Sequence, residues 1–184
     1  MRLLFSVTVL LFLLSSCSST KKLSNTTHSN PSDFKSFIHI KEQVDPITIY
    51  TKDISPDKLV DFAETLKGVK YQLGGCDKVK GFDCSGFVWY VFNHFDIKVP
   101  RTAVNYTNAG KEIKPIHSKR GDIILFTGID PTAGVVGHMG LITKRDEKGI
   151  QFIHAASGGG KGVMVSNMSE YFYKRFVKII RVFE

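Results

Sequence analysis

The spacing of apolar residues changes once along this 184-residue chain, and that change restricts the fold more than any other feature. Up to about residue 95 the spacing is helical, with one apolar run between Ser55–Pro56 and Gly68 and a second run over 84–95. From residue 122 onwards the pattern switches to that of short strands separated by turn residues. The predicted strands are 122–126, 138–144, 151–156, 163–166 and 176–183. Helices followed by antiparallel strands predict an α+β domain whose N-terminal helices pack on a C-terminal antiparallel β-sheet.

The second helical run begins with a cysteine. Asp83 is a typical N-cap residue, and Phe82 and Phe87 have the spacing of a hydrophobic staple around it, so Cys84 falls in the first helical turn. Backbone N–H groups and the helix dipole stabilise a thiolate at that position and lower the pKa of a cysteine. Cys84 is therefore the candidate nucleophile, and such a nucleophile needs a base and a group that orients the base.

Two histidines in a predicted hairpin are candidates for those two roles. The turn at 146–149 joins the strands that contain His138 and His154, and it allows two registers. In one register both rings lie on the same side of the sheet as diagonal neighbours, within reach of a ring-to-ring hydrogen bond. We expect His138 to act as the base, with room for a substrate beside Gly137 and Gly140, and His154 to orient it.

The N-terminal segment has the pattern of an export signal. Arg2 precedes about a dozen mostly apolar residues, too few to span a bilayer. The residues Leu14-Ser15-Ser16-Cys17 resemble the bacterial lipobox, whose cysteine is acylated. We expect a signal peptide at 1–16, then an acylated Cys17 and a flexible tether with a short arm over 17–50. Ser18 resembles an outer-membrane sorting signal more than an inner-membrane one, so the chain would be an exported, membrane-anchored lipoprotein that faces the periplasm.

Six segments share a pattern with a known family when they are taken in order. They are 68–75, 82–88, 100–103, 120–126, 137–141 and 152–155. Together they resemble the NlpC-type family of papain-like cell-wall peptidases, which implies a peptidase domain over 51–184. By that resemblance Cys84 attacks an amide, His138 is the base and His154 orients it. The remaining site residues that it implies are Tyr71, Asp83, Ser85 and Arg101, which would contact the substrate or its oxyanion.

The resemblance implies a peptidoglycan hydrolase that cleaves an amide bond in stem peptides or cross-links through a thiolate and an acyl-enzyme. It implies no cofactor and no metal. The expected partners are peptidoglycan stem peptides and, through the lipid anchor, a membrane, and we expect a monomer. Two other functions stay open: an amidase or acyltransferase that uses the same Cys84–His138 pair, and a catalytically inactive wall-binding lipoprotein.

Cysteine chemistry and net charge supply three competing interpretations. A disulfide between Cys76 and Cys84 would abolish nucleophilic catalysis. A zinc site made of these cysteines and the two histidines is a second alternative, but the residues lack the usual spacing of metal ligands. The net charge of +8, one less once Arg2 is removed, suits an anionic partner. Because the basic residues are dispersed, we expect that partner to be the wall and the lipid surface, with no nucleic acid.

Overall fold

The structure is a computed structural model that describes residues 46–158 and 162–184. The predicted signal peptide, Cys17 and the tether as far as residue 45 lie outside the described residues. All described residues belong to one compact unit, Gln43–Glu184.

The first described residues pack on this unit. Ile47 forms an isolated parallel bridge with Ala109, and the side chain of Ile49 is buried in the core. The packed domain therefore includes residues before position 51. Among the helices of the described ranges, none combines the length and the apolar character that crossing a membrane requires.

The first helix, α1, spans Pro56–Glu64 and begins where the sequence predicts it. Ser55 is its N-cap, and its hydroxyl oxygen accepts a hydrogen bond from the Lys58 N–H at 3.3 Å. The chain leaves the helix through a turn that includes Gly68, whose φ of 86° favours glycine. Both ends of the predicted helical run are thus explained by local sequence.

The second helix, α2, spans Cys84–Asn93, and the candidate nucleophile is its first residue. Asp83 caps the helix, as predicted. The rings of Phe82 and Phe87 lie 5.9 Å apart between centroids, which confirms the predicted staple. Local interactions therefore fix the position of the cysteine in the first turn.

Within the described residues, eight strands form a six-stranded sheet and a small hairpin. In chain order the elements after α1 are β1 (Cys76–Asp77), β2 (Gly81–Phe82), α2, a 3-10 helix (Ala103–Asn108), β3 (Lys111–Ile113), a 3-10 turn (Pro115–His117), β4 (Ile123–Thr127), β5 (Val136–Asp146), β6 (Gly149–Ala156), β7 (Gly162–Asn167), α3 (Glu170–Tyr173) and β8 (Phe176–Arg181). The large sheet has the order β3-β8-β4-β5-β6-β7 and is antiparallel throughout. The five predicted strands are present and the α+β prediction is confirmed, whereas β1, β2 and β3 are too short for the apolar pattern to reveal.

The large sheet separates two hydrophobic clusters. α1 and α2 pack on one face, together with sheet residues such as Met139, Leu141 and Ile153. The opposite face has a smaller cluster around Phe126 and Phe152, and α3 packs against it. Since side chains alternate along a strand, the histidines next to Met139 and Ile153 lie on this second face.

A β-bulge at Thr143 determines that both histidines share this face. Near the turn Lys144 pairs with Gln151, whereas Ile142 pairs with Phe152, the next residue of β6. Thr143 is therefore an extra residue in β5 that has no partner on β6. A one-residue shift in register exchanges the two faces of a strand. Without the bulge, His138 would therefore lie on the face opposite His154. Of the two registers that the sequence allows, the structure has the one that brings the rings together.

Arg120 joins this bulge to α1. Its guanidinium donates a hydrogen bond of 2.9 Å from Nη1 to the carbonyl oxygen of Thr143. The same guanidinium forms ion pairs with three carboxylates of α1, those of Asp57, Asp61 and Glu64. The Thr143 carbonyl group thereby gains a charged hydrogen-bond donor. Through Arg120, the packing of α1 on the sheet also supports the register of β5 against β6.

Replacement of Arg120 by methionine should destabilise the fold by about 1–3 kcal/mol, because the bulge carbonyl loses its donor in a partly buried position. Urea denaturation followed by circular dichroism measures this. The matched control is Lys144→Met, which removes a more exposed ion pair to Asp146 and should cost about 0–1 kcal/mol. Equal losses in the two variants would contradict the role given to Arg120.

Candidate active site

The thiol of Cys84 lies against β5, next to His138. It donates a hydrogen bond to the carbonyl oxygen of Gly137 at 3.8 Å. The backbone N–H of Met139 is also within hydrogen-bonding reach of the sulfur. The nucleophile predicted at a helix start and the base predicted on a strand are thus neighbours, because the sulfur contacts the two residues that flank His138.

The two histidine rings form a direct contact. Nε2 of His138 lies 2.8 Å from Nδ1 of His154. The His154 side chain is almost fully buried, with 2% exposure, whereas part of the His138 ring faces a cavity. Since His154 occupies Nε2, Nδ1 is the nitrogen of His138 that remains for proton transfer. His154 is therefore placed where it can orient the His138 ring, and the catalytic roles of the two residues stay a prediction.

Ser166 on β7 extends the hydrogen-bonded chain by one residue. Its Oγ lies 2.9 Å from Nε2 of His154, so both nitrogens of the buried ring have partners. Sequence reasoning missed this residue. The signal was present, because β7 was predicted and Ser166 is a diagonal neighbour of His154 across the β6–β7 pair.

These residues line one cavity of about 630 Å³. Its wall includes Cys84, His138 and His154, together with Phe172 and Arg175 from and just after α3. The expected room beside Gly140 is absent, because a Cβ atom there would lie 2.8 Å from the Ile153 carbonyl oxygen. The expectation was wrong for Gly140, which instead permits close packing of β5 on β6, but Gly137 and His138 do line the cavity.

Tyr71 is a further wall residue of the same cavity. Partial burial raises its pKa, and the nearby Cys84 and Asp83 raise it further, since both can be negatively charged. The phenol therefore keeps its proton and can donate a hydrogen bond towards an oxygen that becomes negative beside Cys84.

Asp83, Ser85 and Arg101 form a cluster at the start of α2. Arg101 holds the Asp83 carboxylate with both terminal nitrogens, at 3.0 Å and 2.9 Å, and donates to the Ser85 hydroxyl at 3.1 Å. It also donates to the carbonyl oxygens of Gly74 and Gly75. The structure thus brings three of the predicted substrate-contacting residues together and gives Arg101 an additional positioning role.

The cluster explains the glycine that follows Ser85. A Cβ atom at Gly86 would collide with the Gly75 carbonyl oxygen and would lie 2.9 Å from Asp83 Oδ1. The Gly86 N–H donates to the same Asp83 oxygen at 2.6 Å. Glycine at this position therefore allows the loop before β1 to approach the helix start closely.

The electrostatics of Cys84 differ from the prediction. Burial raises the pKa of its thiol, and the Asp83 carboxylate raises it further. The N–H groups of Ser85, Met139 and Cys84 act in the opposite direction, as expected at a helix start, but they do not prevail. The prediction of a lowered pKa was wrong because it counted the helix and left out desolvation and the capping carboxylate.

Burial also keeps both histidines neutral. Desolvation lowers the pKa of His138 to about 4. It lowers the pKa of His154 to about 3, and the neighbouring His138 adds to this effect. At neutral pH the site therefore contains a thiol beside an uncharged imidazole that can accept its proton.

The second cysteine does not form the disulfide considered above. Cys76 and Cys84 are both free thiols, and Cys76 lies on β1 opposite Phe82. Within residues 46–158 and 162–184 no group of three or more His, Cys, Asp and Glu side chains has a geometry that could hold a metal ion.

Fold and site together place the protein in a class. A cysteine at the start of a helix that faces a histidine on an antiparallel sheet is the arrangement of papain-like proteins. The profile described as the NlpC/P60 family matches residues 68–181, which is more than half of the chain. The chain belongs to the NlpC/P60 family.

Two relatives in sequence and one solved structure show how far the similarity extends. The murein DD-endopeptidase MepS/murein LD-carboxypeptidase of Escherichia coli K12 is 36% identical over 128 residues, which is 68% of this chain and 62% of that protein. A probable endopeptidase of Haemophilus influenzae is 36% identical over 118 residues, 62% of this chain and 67% of that protein. A crystal structure of an NlpC/P60 family protein from Bacillus cereus has a TM-score of 0.62 at 22% identity, covers 72% of this chain and 41% of that one, and supports the fold.

The charge of Asp83 can be tested through the reactivity of Cys84. In a Cys76→Ser background, Asp83→Asn should shift the iodoacetamide alkylation of Cys84 to lower pH, because the substitution removes a negative charge that opposes the thiolate. The asparagine side chain can still cap the helix. Mass spectrometry of the Cys84 peptide across a pH series measures the shift. Asp77→Asn, at the exposed end of β1, is the matched control and should leave the curve in place. An unchanged curve in Asp83→Asn would contradict the assigned electrostatics.

Proposed function

We propose that the protein is a cysteine endopeptidase that hydrolyses amide bonds in the stem peptides or cross-links of peptidoglycan. The observation that supports this most is the shared cavity of Cys84, His138 and His154, with the thiol against the backbone on both sides of His138. Membership of the NlpC/P60 family and the endopeptidase activities for which the two relatives are named add to it. Since the chain spans 62% of the length of the Escherichia coli relative, its substrate is part of the proposal.

The first chemical step follows from the protonation states. As the Cys84 sulfur attacks the carbonyl carbon of a bound amide, its proton moves to Nδ1 of the neutral His138. The carbonyl oxygen becomes negative, and the Cys84 N–H and the Tyr71 hydroxyl can donate hydrogen bonds to it. Because the thiol is protonated at rest, proton transfer accompanies attack.

The later steps return the site to its resting state. His138 donates the proton to the leaving amine as the C–N bond breaks, which leaves a thioester on Cys84. Water then attacks the thioester and loses a proton to His138. His138 passes this proton to the sulfur as the C–S bond breaks, which releases a carboxylic acid and restores the Cys84 thiol. His154 and Ser166 hold the His138 ring in one orientation through both halves of the reaction.

The polar cluster at the start of α2 would bind the acyl portion of the substrate. Asp83 and Ser85 lie next to Cys84 in sequence, and a carboxylate beside a hydroxyl suits the free amine of a muramyl peptide. Arg101 fixes the orientation of Asp83 and supplies positive charge beside it. We expect the protein to act as a monomer.

The N-terminal segment indicates where the enzyme acts. We infer from the sequence that residues 1–16 are a signal peptide and that Cys17 is acylated, which would anchor the domain to a membrane through the tether after Cys17. Ser18 favours the outer membrane over the inner one, with the domain facing the periplasm. A tether of this length would let an anchored domain reach the wall.

The proposed reaction predicts a sharp difference between two cysteine variants. Cys84→Ser should reduce the hydrolysis of purified muropeptides by roughly 10³-fold or more, because the hydroxyl is a far weaker nucleophile beside this base. Cys76→Ser, the matched control, should stay within about twofold of the unmodified protein. Mass spectrometry of the products also identifies the bond.

The products distinguish the alternatives. Separation of cross-linked dimers indicates a cross-link endopeptidase, and loss of the peptide after the second stem residue indicates cleavage within the stem. Release of the whole peptide or transfer to another amine would indicate an amidase or acyltransferase. If the unmodified protein binds wall material and leaves every muropeptide intact, the catalytic proposal is wrong.

The anchor has its own test. In bacterial cells that express the full chain, Cys17→Ala should abolish incorporation of labelled palmitate and move the protein from the membrane to the soluble fraction. Cys76→Ala should change neither result. Labelling that persists in Cys17→Ala would contradict an anchor at this cysteine, and sucrose-gradient separation of membranes tests the outer-membrane assignment.

A further inference from the structure

Arg175 is a wall residue of the same cavity that Cys84, His138 and His154 line. It follows α3 and donates hydrogen bonds to the carbonyl oxygens of Tyr171 at 3.1 Å and Ile129 at 3.3 Å. Its guanidinium also stacks on the Tyr171 ring, with Cζ 3.8 Å from the ring centroid. These contacts hold the guanidinium in place at the cavity.

The hydrogen bonds of Arg175 are incomplete. Its Nε is buried and has no hydrogen-bond partner among the described residues. A buried N–H without a partner costs free energy, and the guanidinium also keeps N–H groups on Nη1 and Nη2 beyond the two that it donates to Tyr171 and Ile129. The arginine therefore has an unused donor and a fixed charge on the wall of a cavity that opens onto the nucleophile.

The charge of Arg175 is also unpaired. Within residues 46–158 and 162–184, Arg101, Arg120 and Arg181 each form an ion pair with a carboxylate, but Arg175 forms none. Asp130 is close enough for an electrostatic effect, yet its carboxylate accepts hydrogen bonds from the N–H and hydroxyl of Thr132. A guanidinium with free donors matches the planar geometry of a carboxylate.

The position of Arg175 indicates which part of a substrate reaches it. Phe176, the next residue, pairs with Phe126 on β4, and Phe126 pairs with His138 on β5. Two strand spacings, roughly 10 Å, therefore separate the backbone next to Arg175 from that of His138. The cluster proposed to bind the acyl portion lies at the start of α2. The part of the cavity wall that Arg175 forms is therefore available to the leaving-amine portion.

We propose that Arg175 binds a free carboxylate of the diamino acid on the leaving side of the scissile amide. This inference rests on the proposed function. Diaminopimelate has a carboxylate beside its second amine, whereas lysine at the same place in a stem peptide lacks it. Arg175 is therefore a specificity-determining residue that favours diaminopimelate over lysine.

The test compares two muropeptides that differ only in having meso-diaminopimelate or L-lysine as the diamino acid on the leaving side. For the unmodified protein, kcat/KM should be about 10- to 100-fold higher with diaminopimelate, the range for a charge-assisted hydrogen bond. Arg175→Met should abolish this preference by lowering only the diaminopimelate rate, and Arg175→Lys should retain part of it. Lys174→Met removes the exposed charge of the preceding residue and is the matched control, which should keep the preference for diaminopimelate.

The outcomes separate a binding role from a structural one. If Arg175→Met lowers kcat/KM equally for both substrates, or the unmodified protein shows no preference, the inference is overturned while the proposed function stands. If the unmodified protein cleaves neither substrate, the proposed function fails. Calorimetric binding of the two uncleaved peptides to Cys84→Ser, with and without Arg175→Met, then decides the inference: a diaminopimelate preference that depends on Arg175 supports it, and equal binding overturns it.

Discussion

The hydrogen bond between Nε2 of His138 and Nδ1 of His154 is the contact on which the rest of the site depends. It exists because the extra residue Thr143 places both rings on one face of the sheet. It also leaves Nδ1 of His138 available to Cys84. Arg120 links the bulge to α1, so the packing of a helix far from the chemistry helps to maintain the geometry of the base.

Burial gives the site its resting protonation state. The same desolvation that lowers the pKa of both histidines raises the pKa of Cys84, so the uncharged forms of acid and base are favoured together. Asp83 strengthens this preference, since its carboxylate both caps α2 and opposes a thiolate. A substrate that excludes the remaining water would meet a neutral thiol and imidazole, and charge would develop only during attack, opposite the donors of Tyr71 and the Cys84 backbone.

Much of this arrangement could be predicted from the sequence, because short-range signals determine it. The caps at Ser55 and Asp83, the position of Cys84 and the hairpin between the histidines depend on neighbouring residues. The choice between the two registers could not be predicted, because the bulge at Thr143 leaves no mark in the apolar pattern. Contacts between segments that are far apart in the sequence could not be predicted either, because neighbouring residues do not determine them. Examples are the contact of Ser166 with His154 and the binding of Asp83 by Arg101.

Nitrogen-15 NMR of the imidazole rings at pH 7 tests the central claim, that a neutral His138 is oriented by His154 to accept the Cys84 proton. The geometry predicts two neutral rings, with the His138 proton on Nε2, where it is donated to His154, and the His154 proton on Nε2, where it is donated to Ser166. Spectra of His138→Gln and His154→Gln assign the signals. A His138 ring protonated on both nitrogens at pH 7, beside a Cys84 thiolate, would contradict the account.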